Sequence, residues 1–179
     1  MYVALLRGIN VSGQKKIKMI DLTSLLEEIG LSEIQTYIQS GNVIFETNRY
    51  KKEEISTVIS HEIKKRYGFD VPVLVLDIEE LKRIRNANPF QYEEEDLGKK
   101  VYVTFLEKKV AAAEETVLRS VAREEEKIVA GERVVYLYIP NGYGKTKLNN
   151  AFFEKKLMCN ATTRNLRTVE KLIALGNNV

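Results

Sequence analysis

The sequence predicts an α+β protein built from two similar halves, and three observations carry that reading. Short apolar runs alternate with amphipathic stretches of helical period. Tight-turn signals join neighbouring strands in each half, at Ser40-Gly41-Asn42 and at Gly131-Glu132. The order strand, helix, strand, strand, helix, strand occurs twice, which is the order of a split βαβ or ferredoxin-like unit. Right-handed crossovers place both helices of such a unit on one face of an antiparallel sheet. The fold expected is therefore two tandem ferredoxin-like units with an extra C-terminal helix. Residues 1–77 form the first, 78–99 a connecting helix and acidic loop, and 100–179 the second with its terminal helix.

In the first half, Tyr2–Leu6 is an apolar strand. Met19, Leu22, Leu25, Leu26 and Ile29 recur at helical spacing, and Gly30 supplies a stop. Glu33–Gln39 and Val43–Glu46 read as strands, with Gly41 where a positive φ is expected. Ile55, Val58, Ile59, Ile63 and Tyr67 mark a second helix ended by Gly68, and Val71–Leu76 is a nearly continuous apolar strand. Ile78–Ala87 forms a connecting helix that Asn88-Pro89-Phe90 breaks, and Glu93–Asp96 is an acidic loop.

The second half opens with a strand at Lys100–Leu106. Val110, Ala113, Val117, Leu118 and Val121 mark a helix. Lys127–Ala130 and Arg133–Ile139 form a hairpin. A helix carrying Leu148, Ala151, Phe152 and Leu157 follows the run Pro140–Gly144. Asn160–Thr163 is a short edge strand, and Leu166, Val169, Leu172 and Ile173 mark the last helix.

Length and composition set the bounds. The chain has 179 residues, 44% hydrophobic and 30% charged, as expected of one globular domain or two small ones. The net charge of +3 is too small to argue for nucleic acid on its own, but its distribution is uneven. Residues 1–20 hold Arg7, Lys15, Lys16 and Lys18 and no acid. Residues 140–179 hold seven basic side chains against two acidic ones, and residues 77–98 hold seven acidic against three basic. Cationic termini flank an acidic middle, which points to an anionic partner.

Cys159 is the single cysteine, so no internal disulfide forms and a reducing, cytoplasmic setting is expected. No apolar run approaches the length of a membrane helix, so no membrane partner is expected. With one histidine and one cysteine there is no set for metal binding or Cys/His catalysis. No metal and no cofactor are expected. His61 lies off its helix stripe and is expected to face solvent.

Parallel first and second strands end at the same edge of the sheet, so the Arg7–Lys18 loop and the Ser40–Asn42 turn should converge. Arg7, Asn10, Ser12, Gln39, Ser40 and Asn42 would then share a rim beside Lys15 and Lys16. In the second half, Pro140–Thr146 resembles part of a phosphate-binding loop. The full pattern needs glycine where Ile139 stands, and a split βαβ sheet lacks the parallel strands that nucleotide hydrolases use. What remains is an expected set of free N–H groups at a helix start, beside Lys145 and Lys147.

Ala4-Leu5-Leu6-Arg7-Gly8-Ile9-Asn10-Val11 and Tyr37-Ile38-Gln39-Ser40-Gly41-Asn42-Val43 resemble the bacterial family catalogued as domain of unknown function 1697. Tyr143–Leu148 and Ala161–Asn165 resemble its remaining motifs. Ser12 stands where that family usually shows glycine. The resemblance implies a tandem α+β fold and no known activity, and it puts Arg7, Asn10, Ser40, Asn42, Lys145 and Arg164 in motif stretches.

The expected function is binding of an anionic small molecule or nucleic acid at basic loop rims. Arg7, Lys145 and Arg164 would hold the anion, Asn10, Ser40 and Asn42 would orient it, and Thr146 lies in the second rim. Two alternatives stand beside it. One is a metal-independent transferase or hydrolase acting on a phosphorylated small molecule. The other is an interaction protein that pairs through an exposed sheet edge.

Overall fold

The computed structural model describes residues 1–90 and 97–177. Among these it contains two four-stranded antiparallel sheets and six α-helices, a mixed α+β architecture. The chain divides into two compact units. The first comprises Met1–Lys82 with the residues from Lys171 onward, and the second comprises Arg83–Glu170.

The first unit runs β1 (Tyr2–Leu6), α1 (Met19–Glu28), β2 (Ser32–Tyr37), β3 (Asn42–Glu46), α2 (Lys52–Tyr67) and β4 (Val73–Asp77), and α3 (Ile78–Asn86) begins there. The sheet order is β2-β3-β1-β4 with antiparallel neighbours throughout. Because β3 runs between them, β1 and β2 are parallel and finish at one edge. Ala4, Leu6, Val43 and Phe45 share a core with Leu22 and Leu26 of α1 and with Ile55 and Ile59 of α2. Strand alternation puts Val3, Leu5 and Ile44 on the opposite face, and these are wholly buried too. Burial of both faces is why β1 reads as a continuous apolar run rather than an alternating one.

Local chemistry sets the ends of α2. The Glu54 carboxylate accepts the Lys51 N–H at 3.0 Å, satisfying a donor that the helix leaves open. At the other end Gly68 takes φ +79° and its N–H returns to the Lys64 carbonyl at 2.8 Å, a left-handed cap suited to glycine. The strand expected at Glu33–Gln39 lies earlier, at Ser32–Tyr37, because Ile38 takes φ +51° and begins the turn; its pairing with β3 is irregular between Ser32 and Gln35. The turn thus occupies residues 38–41, and Asn42 belongs to β3.

The second unit runs β5 (Val101–Leu106), α4 (Ala112–Arg119), β6 (Lys127–Ala130), β7 (Val134–Tyr138), α5 (Asn150–Leu157) and β8 (Ala161–Asn165), and α6 (Leu166–Gly176) begins in it. Its sheet order, β6-β7-β5-β8, has the pattern of the first. Two helix expectations need correction here. The α4 helix is shorter than the Val110–Val121 span, since the Glu114 carboxylate takes the Ala111 N–H at 2.9 Å and fixes the start, and Ser120 is the C-terminal cap. Of its expected stripe only Leu118 is buried. The α5 helix does not follow Gly144 but starts at Asn150, where Asn149 Oδ1 caps the Phe152 N–H at 3.0 Å. The expected acidic loop at Glu93–Asp96 lies outside the described residues.

The apolar run that ends at Asp77 resolves as a cap for α3. Asp77 Oδ1 accepts the Glu80 N–H at 2.7 Å and Glu80 Oε2 accepts the Asp77 N–H at 2.9 Å. Lys52 Nζ donates to Asp77 Oδ2 at 3.3 Å and also to Glu80. Burial alone would raise the Asp77 carboxyl, but the Glu80 hydrogen bonds and Lys52 outweigh it and hold its pKa below the usual 3.8. A depressed carboxylate stabilises the fold above its unfolded pKa and loses that contribution as pH falls through the folded value. Asp77→Asn is expected to flatten the loss of stability on acidification below about pH 4, as read from urea midpoints across pH. An unchanged pH profile would refute this.

Gly41 fixes the contact between the 38–41 turn and β1. It has φ +74°, and a Cβ there would lie 2.6 Å from Leu6 Cβ and 2.9 Å from Ile9 Cδ1. Gly41→Ala combines a left-handed penalty with overpacking and is expected to cost roughly 2–4 kcal/mol. Chemical denaturation measures it, and a cost within experimental error would remove the contact from this account.

Candidate functional site

The edge where β1 and β2 finish carries residues 7–18 and 38–41. The first segment is unusual backbone, with Gly8, Asn10, Ser12, Gly13 and Lys15 all at φ between +45° and +75°. Glycine takes that conformation freely, and asparagine tolerates it better than most residues. The segment is stapled by Asn10. Its Nδ2 donates to the Ile17 carbonyl and to the Gln39 carbonyl, each at 2.8 Å, while its Oδ1 accepts the Ile17 N–H at 2.9 Å. The Asn10 N–H adds a bond to the Lys15 carbonyl at 3.2 Å. One side chain thereby joins the loop, the approach to α1 and the neighbouring turn.

The expected convergence is thus present, but two of its residues are otherwise engaged. Asn10 satisfies backbone groups rather than pointing at a ligand. Asn42 is wholly buried, and its Nδ2 donates to the Tyr37 carbonyl at 3.1 Å and to Ser40 Oγ at 2.9 Å. Both position the rim. Arg7 is half-buried at the root of the loop, with its N–H on the Pro72 carbonyl at 2.9 Å. Ser40 is half-buried at the turn.

The groups left without an internal partner are different ones. The N–H groups of Gly8, Ser12 and Gly13 have no partner among the described residues. Lys16 and Lys18 are exposed and pair with no acid among those residues. Lys15 instead reaches across the edge to the Asp70 carbonyl oxygen at 2.6 Å, and Lys64 takes the Asp70 carboxylate at 2.9 Å. Lys18 is also the N-terminal cap position of α1, where no side chain caps the helix. The open start of α1 therefore sits within this cationic stretch.

The second rim belongs to the second unit. Residues 143–145 form a single 3-10 turn, with the Lys145 N–H on the Gly142 carbonyl at 3.0 Å. Lys145 and Lys147 are exposed. Thr146 is 7% exposed and its Oγ1 accepts the Leu148 N–H at 3.0 Å, so it shapes the loop. The N–H groups expected to stand free at a helix start are thus partly consumed by the turn, and α5 begins further on. Arg164 lies on β8 opposite Val103, with Nη1 donating to Thr162 Oγ1 and to the Thr163 carbonyl, both at 2.9 Å.

Beneath this loop lies a polar chain that sequence reasoning missed. Thr163 Oγ1 donates to Asn150 Oδ1 at 2.6 Å and meets Thr104 Oγ1 at 2.8 Å, and the Tyr143 hydroxyl approaches Asn150 Oδ1 at 3.5 Å. The Tyr102 and Tyr143 rings lie 5.0 Å apart. The sequence signal was the Asn149-Asn150 pair, a capping residue followed by a second asparagine at the helix start.

The remaining candidate chemistry is quiet. Cys159 is half-buried, and burial pushes its thiol up, away from the thiolate that reacts. His61 is 71% exposed, on the surface side of α2. Among the described residues no group of three or more His, Cys, Asp or Glu side chains is placed to hold a metal ion, and no helix is long and apolar enough to cross a membrane.

Asn10→Ala removes three side-chain hydrogen bonds and leaves a non-glycine residue at φ +56°, so a loss of roughly 2–4 kcal/mol is expected. Asn10→Gly keeps the backbone conformation open and isolates the hydrogen-bond share. Hydrogen exchange at the Ile17 amide should accelerate in both variants. Retained protection there would show that Asn10 does not hold the loop.

No curated protein sequence matches the chain. Among solved structures it is similar to the conserved bacterial protein SP0830 from Streptococcus pneumoniae. The two share 21% identity with a TM-score of 0.71, over 98% of this chain and 97% of that one, a likeness of fold. The family described as "Protein of unknown function (DUF1697)" matches residues 1–136, short of the Tyr143–Leu148 and Ala161–Asn165 segments. With three quarters of its length matched, from β1 into β7, the chain is a member of that family.

Proposed function

We propose that this protein binds an anionic ligand, a phosphorylated metabolite or a nucleic acid, in the cytoplasm. The principal site is the rim formed by residues 7–18 and 38–41. One observation carries the proposal. Lys16 and Lys18 are cations without an acidic partner among the described residues, next to open N–H groups at Gly8, Ser12 and Gly13. Backbone N–H groups left unpaired in a turn attract anions, and this loop holds several left-handed residues, Ser12 and Gly13 in succession. The uncapped start of α1 adds the positive end of a helix dipole. Arg7 contributes charge at the root of the loop, while Asn10, Ser40 and Asn42 hold its shape. Lys145, Lys147 and Arg164 form the secondary rim, with Thr146 as its structural support.

The fold reading that accompanies this is a tandem of ferredoxin-like units, residues 1–77 and 100–179 with its terminal helix, joined by a connector at 78–99. The matching sheet orders β2-β3-β1-β4 and β6-β7-β5-β8 support the repeat, whereas the end of the terminal helix, from Lys171, groups with the first unit.

A thermal-shift screen against sugar phosphates, nucleotides and short RNA and DNA, at low and moderate salt, tests the function. A specific ligand stabilises the native state by mass action. Nucleic acid held by charge alone loses affinity steeply with salt. Lys16→Ala/Lys18→Ala is expected to weaken binding roughly tenfold, since each exposed cation contributes up to about 1 kcal/mol. Binding that survives this double variant unchanged would overturn the assignment of the rim.

A further inference from the structure

The second unit holds a cleft of about 330 Å³ whose lining includes no residue of either rim. That size is at the lower end of pockets that take small organic ligands, about 300–1,000 Å³. It borders β6, and its lining includes Arg119 at the C-terminal end of α4, Arg123 in the turn beyond that helix, and Phe90. Glu126 of the turn and Lys127 and Ile128 of the strand line it as well.

Each of these groups has a distinct character. Glu126 is only 7% exposed, and its Oε2 accepts the Arg123 N–H at 3.0 Å. Its other oxygen accepts no hydrogen bond among the described residues and is not a buried orphan, and Glu126 lines the cleft. The Arg123 guanidinium has no partner among the described residues. Arg119 is held by Glu115, at 2.6 and 3.2 Å, and is partly neutralised. Lys127 Nζ rests 5.9 Å from the centre of the Tyr138 ring, which also meets the Phe90 ring at 6.3 Å. Glu125, the nearby exposed acid, accepts from Asn141.

The free edge of β6 does not favour an added strand. The outward Ala130 N–H is already directed at Glu115 Oε1, at 3.4 Å. Antiparallel alternation then leaves Ile128 as the residue offering both N–H and carbonyl at the edge. One residue is too little for a ladder. A compact ligand fits better. It needs an anionic group for Arg123 and Lys127, a flat apolar body for Phe90, and an N–H donor for Glu126.

We propose that this cleft binds a nucleoside monophosphate carrying an exocyclic amino group. The phosphate lies between Arg123 and Lys127, the base rests against Phe90, and the amino group donates to Glu126. Charge-assisted bonds fix the phosphate end, and ring stacking holds the base.

The test titrates the full chain with adenosine monophosphate, inosine monophosphate, inorganic phosphate and adenosine, following backbone amides by NMR. Adenosine monophosphate should shift amides within residues 119–129 and bind more tightly than either of its parts. Arg123→Ala should weaken it roughly tenfold with unchanged thermal stability of the free protein, because that side chain supports nothing else. Glu126→Gln keeps an acceptor for the Arg123 N–H and should narrow the preference for adenosine over inosine monophosphate. The proposal is overturned if adenosine monophosphate binds no better than inorganic phosphate, or if Arg123→Ala binds it as well as the parent. It is overturned equally if the shifts fall on residues 8–18 and vanish in Lys16→Ala/Lys18→Ala, which would return the ligand to the rim.

Discussion

The end of β1 is pinned from both sides, and the rim of the first unit depends on that. The Leu6 N–H donates to the Gly41 carbonyl at 2.8 Å, and the Arg7 N–H donates to the Pro72 carbonyl at 2.9 Å. Gly41 can come so close only because it lacks a side chain, with Leu6 and Ile9 occupying the space that one would fill. Once β1 is fixed at this point, residue 8 onward must leave the sheet edge abruptly. The run of left-handed residues performs that departure, and Asn10 closes it by bonding back to Gln39 and Ile17. Sheet order, a glycine contact and one asparagine thus form a single mechanical unit, and the cations of the loop are displayed by it.

Much of this was legible in the sequence, and the limits have physical causes. The stripe Ile55, Ile59 and Ile63 with Gly68 behind it specified α2, because burial and a left-handed cap both leave residue-level marks. Lys16 and Lys18 were visible as charge without acid. Asn10 and Asn42 were read as ligand-orienting, yet they staple backbone. An asparagine amide offers the same donor and acceptor to a carbonyl in its own chain as to a bound molecule, so its target is settled only by the fold. The Thr104–Thr163–Asn150 chain was missed for another reason, despite the asparagine pair at the start of α5. It depends on the register of β5 against β8, which pairs residues 59 positions apart. The start of α5 was misplaced because Gly142-Tyr143-Gly144-Lys145 resembles the approach to a helix, whereas the capping side chain comes later, at Asn149.

Ile38 adds a strained feature to the same edge. It is β-branched, sits at φ +51° and is 53% exposed. Left-handed backbone is costly for such a side chain, and exposure gives little burial in return. Val11, next to Asn10 in the facing loop, is 56% exposed. The edge therefore presents aliphatic side chains beside lysines, a surface able to contact the apolar part of an anionic ligand as well as its charge.

Comparison of the two units separates what the sheet order imposes from what the first rim adds. In the second unit the Leu106 N–H donates to the Arg133 carbonyl at 3.0 Å, the counterpart of Leu6 and Gly41. The edge geometry is therefore repeated, but the chemistry is not. The connection from β5 to α4 is residues 107–111, much shorter than residues 7–18. Its charges are matched within the unit. Lys108 pairs with Glu114 at 2.7 Å and Lys109 with Glu132 at 2.5 Å, while Glu107 accepts from Asn160 at 2.7 Å. Hydrogen bonds from these lysines hold the Glu114 and Glu132 carboxyls below the ordinary carboxylate range. A surface with no use for its cations pairs them off, as the second unit does at this edge. The first unit leaves Lys16 and Lys18 without acids on a longer loop whose unusual backbone has open N–H groups. Sheet order accounts for the loop's position, and the contrast in charge pairing is what separates the first rim from its counterpart in the second unit.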